Sequence, residues 1–156
     1  MKNLIIYYSR TNTTKKVAEE ISKITGWETA EIIDTKNRSG VSGYFSSGRE
    51  AMSKKLTELK PLEKNLADYD LIIVGTPIWA WTVSTPVRTF LENNKKDLKK
   101  LAFFCTMGGS GDEKAFLEMS SISGLEPVAT LSLLTKEVMQ TNFAEQLKTF
   151  IAKIEE

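Results

Sequence analysis

Four short runs of continuous apolar residues constrain the fold of this chain most strongly. They occupy residues 4–8, 71–74, 101–105 and 128–134, and each run ends at a polar residue or a glycine. Apolar runs of this length without polar alternation are typical of strands that are covered on both faces, as in a parallel sheet. A weaker candidate strand covers residues 28–33.

Helical patterns separate these runs. Apolar residues recur at helical spacing after Thr14, Thr85 and Asp112, and each of these polar residues is a candidate helix start. Asn142 followed by Glu145 is typical of a capping box at the start of a final helix. Strands that alternate with helices in this way predict a doubly wound α/β fold with right-handed crossovers.

The segment 37–65 is the least regular part of the chain. Its pattern favours a helix preceded by a loop rich in glycine and serine. The apolar residues of this candidate helix are Tyr44, Phe45, Ala51, Met52, Leu56 and Leu59. No repeat, low-complexity tract or linker divides the 156 residues, so we expect a single domain over residues 1–156.

The composition excludes several classes of function. The chain has no histidine and one cysteine, which excludes a Ser-His-Asp triad, an imidazole-ligated metal and an internal disulfide. Its 21 basic residues nearly balance its 20 acidic residues, which gives no support for nucleic-acid binding. No apolar run approaches the ~20 residues that span a bilayer or forms a complete signal peptide. We therefore expect a cytoplasmic protein that binds neither nucleic acid nor membrane.

Three loops follow strands at the edge where an open parallel sheet binds its ligands. The first loop has four hydroxyl side chains and opens onto a helix N-terminus, where free N–H groups and the helix dipole favour a phosphate. It consists of Ser9, Arg10, Thr11, Asn12, Thr13 and Thr14. The loop has neither the dinucleotide nor the triphosphate fingerprint. A plain polar turn with a helix cap at Thr13 or Thr14 remains the alternative.

The second loop, residues 76–85, contains Trp79 and Trp81. Large aromatic side chains on a surface loop need something to cover, and a flat ligand suits them. We expect one of the two tryptophans to pack back onto the core and the other to stack on a ligand.

The third loop, residues 106–112, is rich in glycine, which allows the backbone to approach a ligand closely. A flexible turn is the alternative for this loop. Cys105 precedes it, but the position where a cysteine phosphatase would need an arginine is Gly111. We therefore expect Cys105 to be a small buried side chain at the end of a strand.

Taken together, these segments resemble those of short-chain flavodoxins and related flavodoxin-like proteins. The resemblance is carried by residues 5–18, 70–79 and 103–109. It implies a single five-stranded parallel sheet of strand order 2-1-3-4-5, with FMN bound at the switch between strands one and three.

The resemblance also implies that the first loop wraps the FMN phosphate. The family pattern is Ser/Thr-x-Thr-Gly-Asn-Thr, which Ser9, Thr11 and Thr14 match. Asn12 stands where the family has glycine, and Thr13 stands where it has asparagine. Asparagine tolerates a positive φ better than most residues do, so we expect the turn to be kept.

For the flavin ring, the resemblance implies a contact with Trp79 and with the neighbouring edge of the second loop. The third loop has Met107 where the family often has a second aromatic residue, which leaves that flavin face open. The residues expected to contact FMN are Ser9, Arg10, Thr11, Asn12, Thr13, Thr14, Pro77, Ile78, Trp79, Ala80, Trp81, Thr106, Met107, Gly108 and Gly109.

The function that this implies is electron transfer by bound FMN between redox partner proteins. The three loops contain no evident general acid or base, which favours electron transfer over proton-transfer catalysis. One alternative is an NAD(P)H-dependent flavin or quinone reductase, in which residues 38–49 fold over the open flavin face. Another is a flavin-binding module without redox turnover, because a fold alone does not fix a function.

Overall fold

The computed structural model describes residues 1–156 and consists of a parallel sheet with helices on both faces. The strands are β1 (Asn3–Tyr7), β2 (Glu28–Glu31), β3 (Leu71–Trp79), β4 (Thr82–Val83), β5 (Leu101–Met107) and β6 (Thr130–Leu134). The α-helices are α1 (Thr13–Thr25), α2 (Gly40–Met52), α3 (Thr85–Asn94), α4 (Asp112–Ser123), α5 (Thr135–Met139) and α6 (Ala144–Glu155). None of these helices combines the length and the apolar composition that a membrane crossing requires.

The strand order is β2-β1-β3-β5-β6, and all four of these pairings are parallel. The short strand β4 lies off this path and pairs antiparallel with the end of β3. Without β4, the order is the 2-1-3-4-5 arrangement that the resemblance implies. The flavodoxin-like fold expected from the sequence is therefore confirmed.

The central strands β1, β3 and β5 are buried on both faces, as their continuous apolar runs predict. The same expectation is wrong for the fourth run, because β6 is an edge strand in which Thr130 is exposed and Ser132 is half-buried. Successive side chains of a strand point to opposite faces, so Leu4 and Ile6 lie in one core whereas Ile5 lies in the other. Phe103 and Phe104 are divided between the two cores in the same way. Helices α3 and α4 cover the first face, and helices α1 and α6 cover the second.

Strand β3 is longer than the sequence predicts. The apolar run ends at Val74, but the strand continues through Gly75 to Trp79. It continues because Thr76 and Pro77 still pair with β5, and because the last two residues of β3 pair with β4. Most of the predicted second loop is therefore strand and tight turn.

Helix α2 also differs from the expectation. It begins at Gly40, inside the stretch predicted to be a loop, and it ends before Leu56 and Leu59. Its buried face consists of small residues at helical spacing, namely Gly43, Ser47 and Ala51. Because this face is narrow, the large side chains of the helix point away from the core.

Only some of the helices begin as the sequence predicts. The expected capping box at Asn142 is wrong, because α6 begins at Ala144 and no side chain caps it. The buried Phe143 anchors that helix to the second core instead. A capping interaction occurs at α5, where the Glu137 carboxylate accepts a hydrogen bond from the Leu134 N–H at 2.8 Å.

Gly75 offers a direct test of how tightly the second core is packed. A Cβ atom at this position would overlap the ring of the fully buried Phe104. We expect Gly75→Ala to lower the free energy of unfolding by about 1–3 kcal/mol, because an overpacked core must shift. Combining it with Phe104→Leu makes room for the new methyl group. The double variant should therefore lose less stability than the sum of the two single variants.

Urea unfolding of the FMN-free protein, followed by circular dichroism, measures this coupling. Strict additivity of the two substitutions would contradict the overlap.

Candidate functional site

A cavity of about 1020 Å³ lies beyond the carboxyl ends of β1, β3 and β5. Its volume is at the upper end of the roughly 300–1,000 Å³ that small-molecule sites occupy. The winding of the sheet reverses between β1 and β3, and such a switch point is where open α/β sheets bind ligands.

The structure brings the three predicted loops together around this cavity. The predicted site residues that line it are Ser9, Arg10, Thr11, Thr13, Thr14, Pro77, Ile78, Trp79, Ala80, Trp81, Thr106, Met107, Gly108 and Gly109. Asn12 is the one predicted residue that does not line it. Whether these residues contact a cofactor remains a prediction.

The first loop forms a cradle of hydrogen-bond donors. Asn12 is the N-cap of α1 and adopts φ 66°, so asparagine supplies the left-handed turn where the related family has glycine. The N–H groups of Thr13 and Thr14 have no acceptor within the helix, because they belong to its first turn. The N–H of Lys15 donates to the Ser9 hydroxyl at 3.2 Å, which fixes the loop onto the helix. This arrangement is suited to an anion such as a phosphate.

A buried pair of hydroxyl groups connects the first loop to the third. The side chains of Thr14 and Thr106 share a hydrogen bond of 2.8 Å, and both residues are buried. The bond joins the start of α1 to the end of β5, so it fixes the distance between the first loop and the third loop.

A tight hairpin joins β3 to β4 and carries Trp81 at the cavity. Its two turn residues, Ala80 and Trp81, adopt φ 47° and 63°. Two-residue turns with positive φ at both positions normally use asparagine and glycine, and other residues there cost about 1–3 kcal/mol each. The pairing of Ile78 with Val83 holds the hairpin closed.

Two neighbouring elements stabilise this strained hairpin. The Glu118 carboxylate on α4 accepts a hydrogen bond from the Thr82 hydroxyl at 2.7 Å and is paired with Arg88 of α3. Burial opposes the charge of Glu118, but the hydrogen bonds from Thr82 and Arg88 hold its pKa below the usual value. On the other side, Gly111 adopts φ 110°, and a Cβ atom there would lie 2.7 Å from the Cα of Trp81. Glycine thus lets the third loop pass directly against the hairpin.

The two tryptophans have opposite surroundings. Trp79 is only 9% exposed, and its ring packs edge-to-face on Tyr8 with centroids 5.4 Å apart. The Arg38 guanidinium lies 5.2 Å from the centroid of the same ring. Trp81 is 65% exposed at the cavity. Trp79 is therefore the tryptophan that packs back onto the core, and Trp81 is the one with a free ring face.

Arg38 is the centre of a buried ion-pair network that the sequence did not indicate. Its guanidinium contacts Asp34 at 2.5 Å and Glu50 at 2.6 Å, and it donates to the Ser47 hydroxyl at 3.1 Å. Burial opposes the charge of Arg38, but hydrogen bonds to the two carboxylates raise its pKa above the usual value. Ser47 and Glu50 belong to α2, so this network fixes α2 beside the cavity.

Helix α2 forms a fourth wall that was not assigned to the site from the sequence. Six of the additional lining residues belong to α2, namely Tyr44, Phe45, Ser47, Gly48, Arg49 and Met52. The others are Ser53, which directly follows α2, Ser110 of the third loop and Thr135 at the start of α5. The sequence offered one signal for this wall, namely the expectation that residues 38–49 could fold over the site. Large apolar side chains that a helix leaves exposed are typical of a surface that binds a ligand or a partner.

Cys105 takes no part in this chemistry. It is fully buried in β5, and burial raises the pKa of its thiol to about 12. The thiol is therefore protonated at neutral pH, in agreement with its expected role as a small core side chain.

A family model described as flavodoxin matches residues 2–150. The chain belongs to the flavodoxin family. The resemblance inferred from the sequence is thereby confirmed. Among curated proteins, no sequence relative was found.

Three solved structures illustrate the range of similar proteins. A flavoprotein in complex with FMN from Lactobacillus acidophilus NCFM is 26% identical, with a TM-score of 0.73 over 89% of this chain and 97% of that chain. Two-electron reduced flavodoxin from Megasphaera elsdenii is 19% identical, with a TM-score of 0.59 over 93% and 94%. An NADPH-quinone reductase from P. pentosaceus is 14% identical, with a TM-score of 0.54 over 96% and 98%. The last two similarities concern the fold alone.

The Glu118 interaction predicts a pH-dependent contribution to stability. Since the folded-state pKa is lowered, the contribution is fully present well above the usual value of 4.5 and is lost as the pH falls below it. We expect Glu118→Gln to lower the free energy of unfolding by about 1–3 kcal/mol at pH 7. The difference from wild type should shrink on acidification. Urea unfolding between pH 7 and pH 3 measures it, and a difference that is constant with pH would argue against this assignment.

Proposed function

We propose that the chain binds one FMN non-covalently in this cavity and acts in electron transfer. The observation that carries the proposal is the cavity at the switch point, which is lined both by a cradle of N–H donors and by an exposed indole. Family membership supports it, as does the presence of FMN in the flavoprotein from L. acidophilus.

The residues of the first loop fit a phosphate group. The N–H groups of Thr13 and Thr14 and the hydroxyl of Thr11 would hold the phosphate oxygens at the start of α1. No aspartate or glutamate lines the cavity, so a dianion meets no negative side chain there. Asn12 contributes by fixing the turn, since it does not reach the cavity surface itself.

The second loop fits a flat ring. Trp81 has the exposed face at the cavity, and Pro77 and Ile78 form the neighbouring edge. We therefore assign ring stacking to Trp81 rather than to Trp79, which lies at the position where the resemblance expects the stacking residue. The buried network around Trp79 gives the site a rigid support.

FMN, when bound, supplies the electron chemistry, and the protein supplies binding and orientation. No carboxylate, histidine or lysine lines the cavity, so no evident general base is available there. This composition favours electron transfer to or from a partner over proton-transfer catalysis by the protein.

A second candidate function is an NAD(P)H-dependent reductase of quinones or flavins. It is favoured by the fourth wall, because α2 extends the cavity beyond the three loops that FMN would occupy. Steady NAD(P)H oxidation by the FMN-loaded protein with a quinone acceptor would support this function. Absence of turnover with several acceptors would favour the electron carrier.

Titration of the flavin-free protein with FMN tests the proposed function. We expect flavin fluorescence to be quenched, with saturation at one FMN per chain, because an indole that stacks on the ring quenches it. Riboflavin, which lacks the phosphate, is the matched control and should bind more weakly. Absence of FMN binding at high micromolar protein would contradict the proposal.

Substitution of Trp81 tests the stacking assignment. Trp81→Ala should weaken FMN binding by about 1–3 kcal/mol, by analogy with the stacking of bases on aromatic side chains. Trp81→Phe keeps a ring and should retain most of the affinity. Calorimetric titration with FMN measures both variants. Unchanged affinity in Trp81→Ala would return the stacking role to Trp79.

A further inference from the structure

The α2 wall, formed by Tyr44, Phe45, Arg49 and Met52, faces the cavity and has no role in the proposed FMN site. Tyr44 and Phe45 are 62% and 66% exposed, and their rings pair edge-to-face with centroids 5.6 Å apart. Met52, about two helical turns after Phe45, is also exposed. A patch of large apolar side chains at the mouth of a cavity is typical of a ligand-binding surface.

Contacts with two loops show how α2 lies along the cavity. The Arg10 guanidinium of the first loop is 5.6 Å from the centroid of the Tyr44 ring. A Cβ atom built on Gly48 would lie 3.9 Å from the Cβ of Ala80 in the hairpin. Tyr44 is therefore at the phosphate-cradle end. Gly48, which precedes Arg49, lies beside the hairpin that carries Trp81.

The charge of this wall is positive and unbalanced. Arg49 lines the cavity, and none of the ion pairs of the chain includes it. The nearby Glu50 carboxylate is already paired with Arg38 and Lys36. A guanidinium group presents a planar fork of donors that matches a carboxylate, sulfonate or phosphate group.

We propose that the α2 wall is a binding subsite for a flat aromatic anion of one or two fused rings. Because the Tyr44 and Phe45 rings are nearly perpendicular, its flat ring system stacks on Phe45 and meets Tyr44 edge-to-face. Its anionic group pairs with Arg49. This inference rests on the proposed function, because FMN is taken to occupy the three loops and to leave the α2 wall free. The inference defines the chemical class of small molecule that binds to the FMN-loaded protein at the α2 wall.

Three redox-inert probes of one shape test the inference: 2-naphthalenesulfonate, the neutral 2-naphthalenemethanol and the cation 2-naphthylmethylammonium. Calorimetric titration of FMN-saturated protein should show the tightest binding for the anion, weaker binding for the neutral alcohol and the weakest binding for the cation. The sulfonate should bind roughly 10-fold or more tightly than the alcohol, as a charge-assisted hydrogen bond implies. The readout is direct binding, so it does not depend on turnover.

Substitutions separate the charge from the rings. Arg49→Gln should abolish the preference for the anion and leave FMN affinity unchanged. Lys55→Gln removes the same charge from an exposed residue outside the cavity, so it should keep the preference. Phe45→Ala should weaken all three probes to a similar extent, because it removes a ring and no charge.

Several results would overturn the inference. Equal or absent binding of the three probes to FMN-loaded protein would do so while leaving the proposed function intact. Displacement of FMN by the sulfonate would place the anion in the FMN site. Weaker FMN binding by Arg49→Gln with an unchanged anion preference would assign Arg49 to the cofactor. Failure of the wild-type protein to bind FMN would overturn the proposed function and this inference together.

Discussion

The parallel pairing of β1, β3 and β5 is the constraint on which the rest of the structure depends. Parallel strands end at the same edge of the sheet, so residues far apart in sequence must meet there. The hydrogen bond between Thr14 and Thr106 is a direct consequence, since it joins positions 92 residues apart. Burial on both faces fixes the register of these strands, because a shift by one residue would exchange the two cores. The cavity is thus positioned by the most strongly determined part of the molecule.

How much of this follows from the sequence differs between elements. Strands β1, β3, β5 and β6 were predictable because buried strands leave an apolar run in the sequence. Strand β2 was only a weaker candidate, because its residues are exposed or half-buried. Helix α2 was predicted only in outline, because its packing uses small residues such as Gly43 and Ala51, which give little hydrophobic signal. Strand β4 was missed, since the turn between Trp79 and Thr82 has none of the residues that mark a two-residue hairpin. In both cases tertiary contacts, and not local preference, decide the structure.

The same distinction applies to the site. The cavity position and the first loop were accessible from the sequence, because a helix N-terminus after a buried strand is a local feature. Both tryptophans line the cavity, but which of them is exposed there was not accessible. That outcome depends on Tyr8 and Arg38, which pack against Trp79 from other parts of the chain. The strained turn at Trp81 persists for a similar reason, since Glu118 of α4 holds the adjacent strand in place.

The sign of the cavity charge is also a property of the tertiary structure. The whole chain carries a formal charge of only +1, which by itself predicts no preference for anions. Asp34 and Glu50 do not line the cavity, and both carboxylates pair with the buried Arg38. Arg10 and Arg49 remain on the cavity surface, where no carboxylate opposes them. A network that fixes a helix in place therefore also removes negative charge from the surface that the helix presents, so that a nearly neutral chain has a cationic cavity.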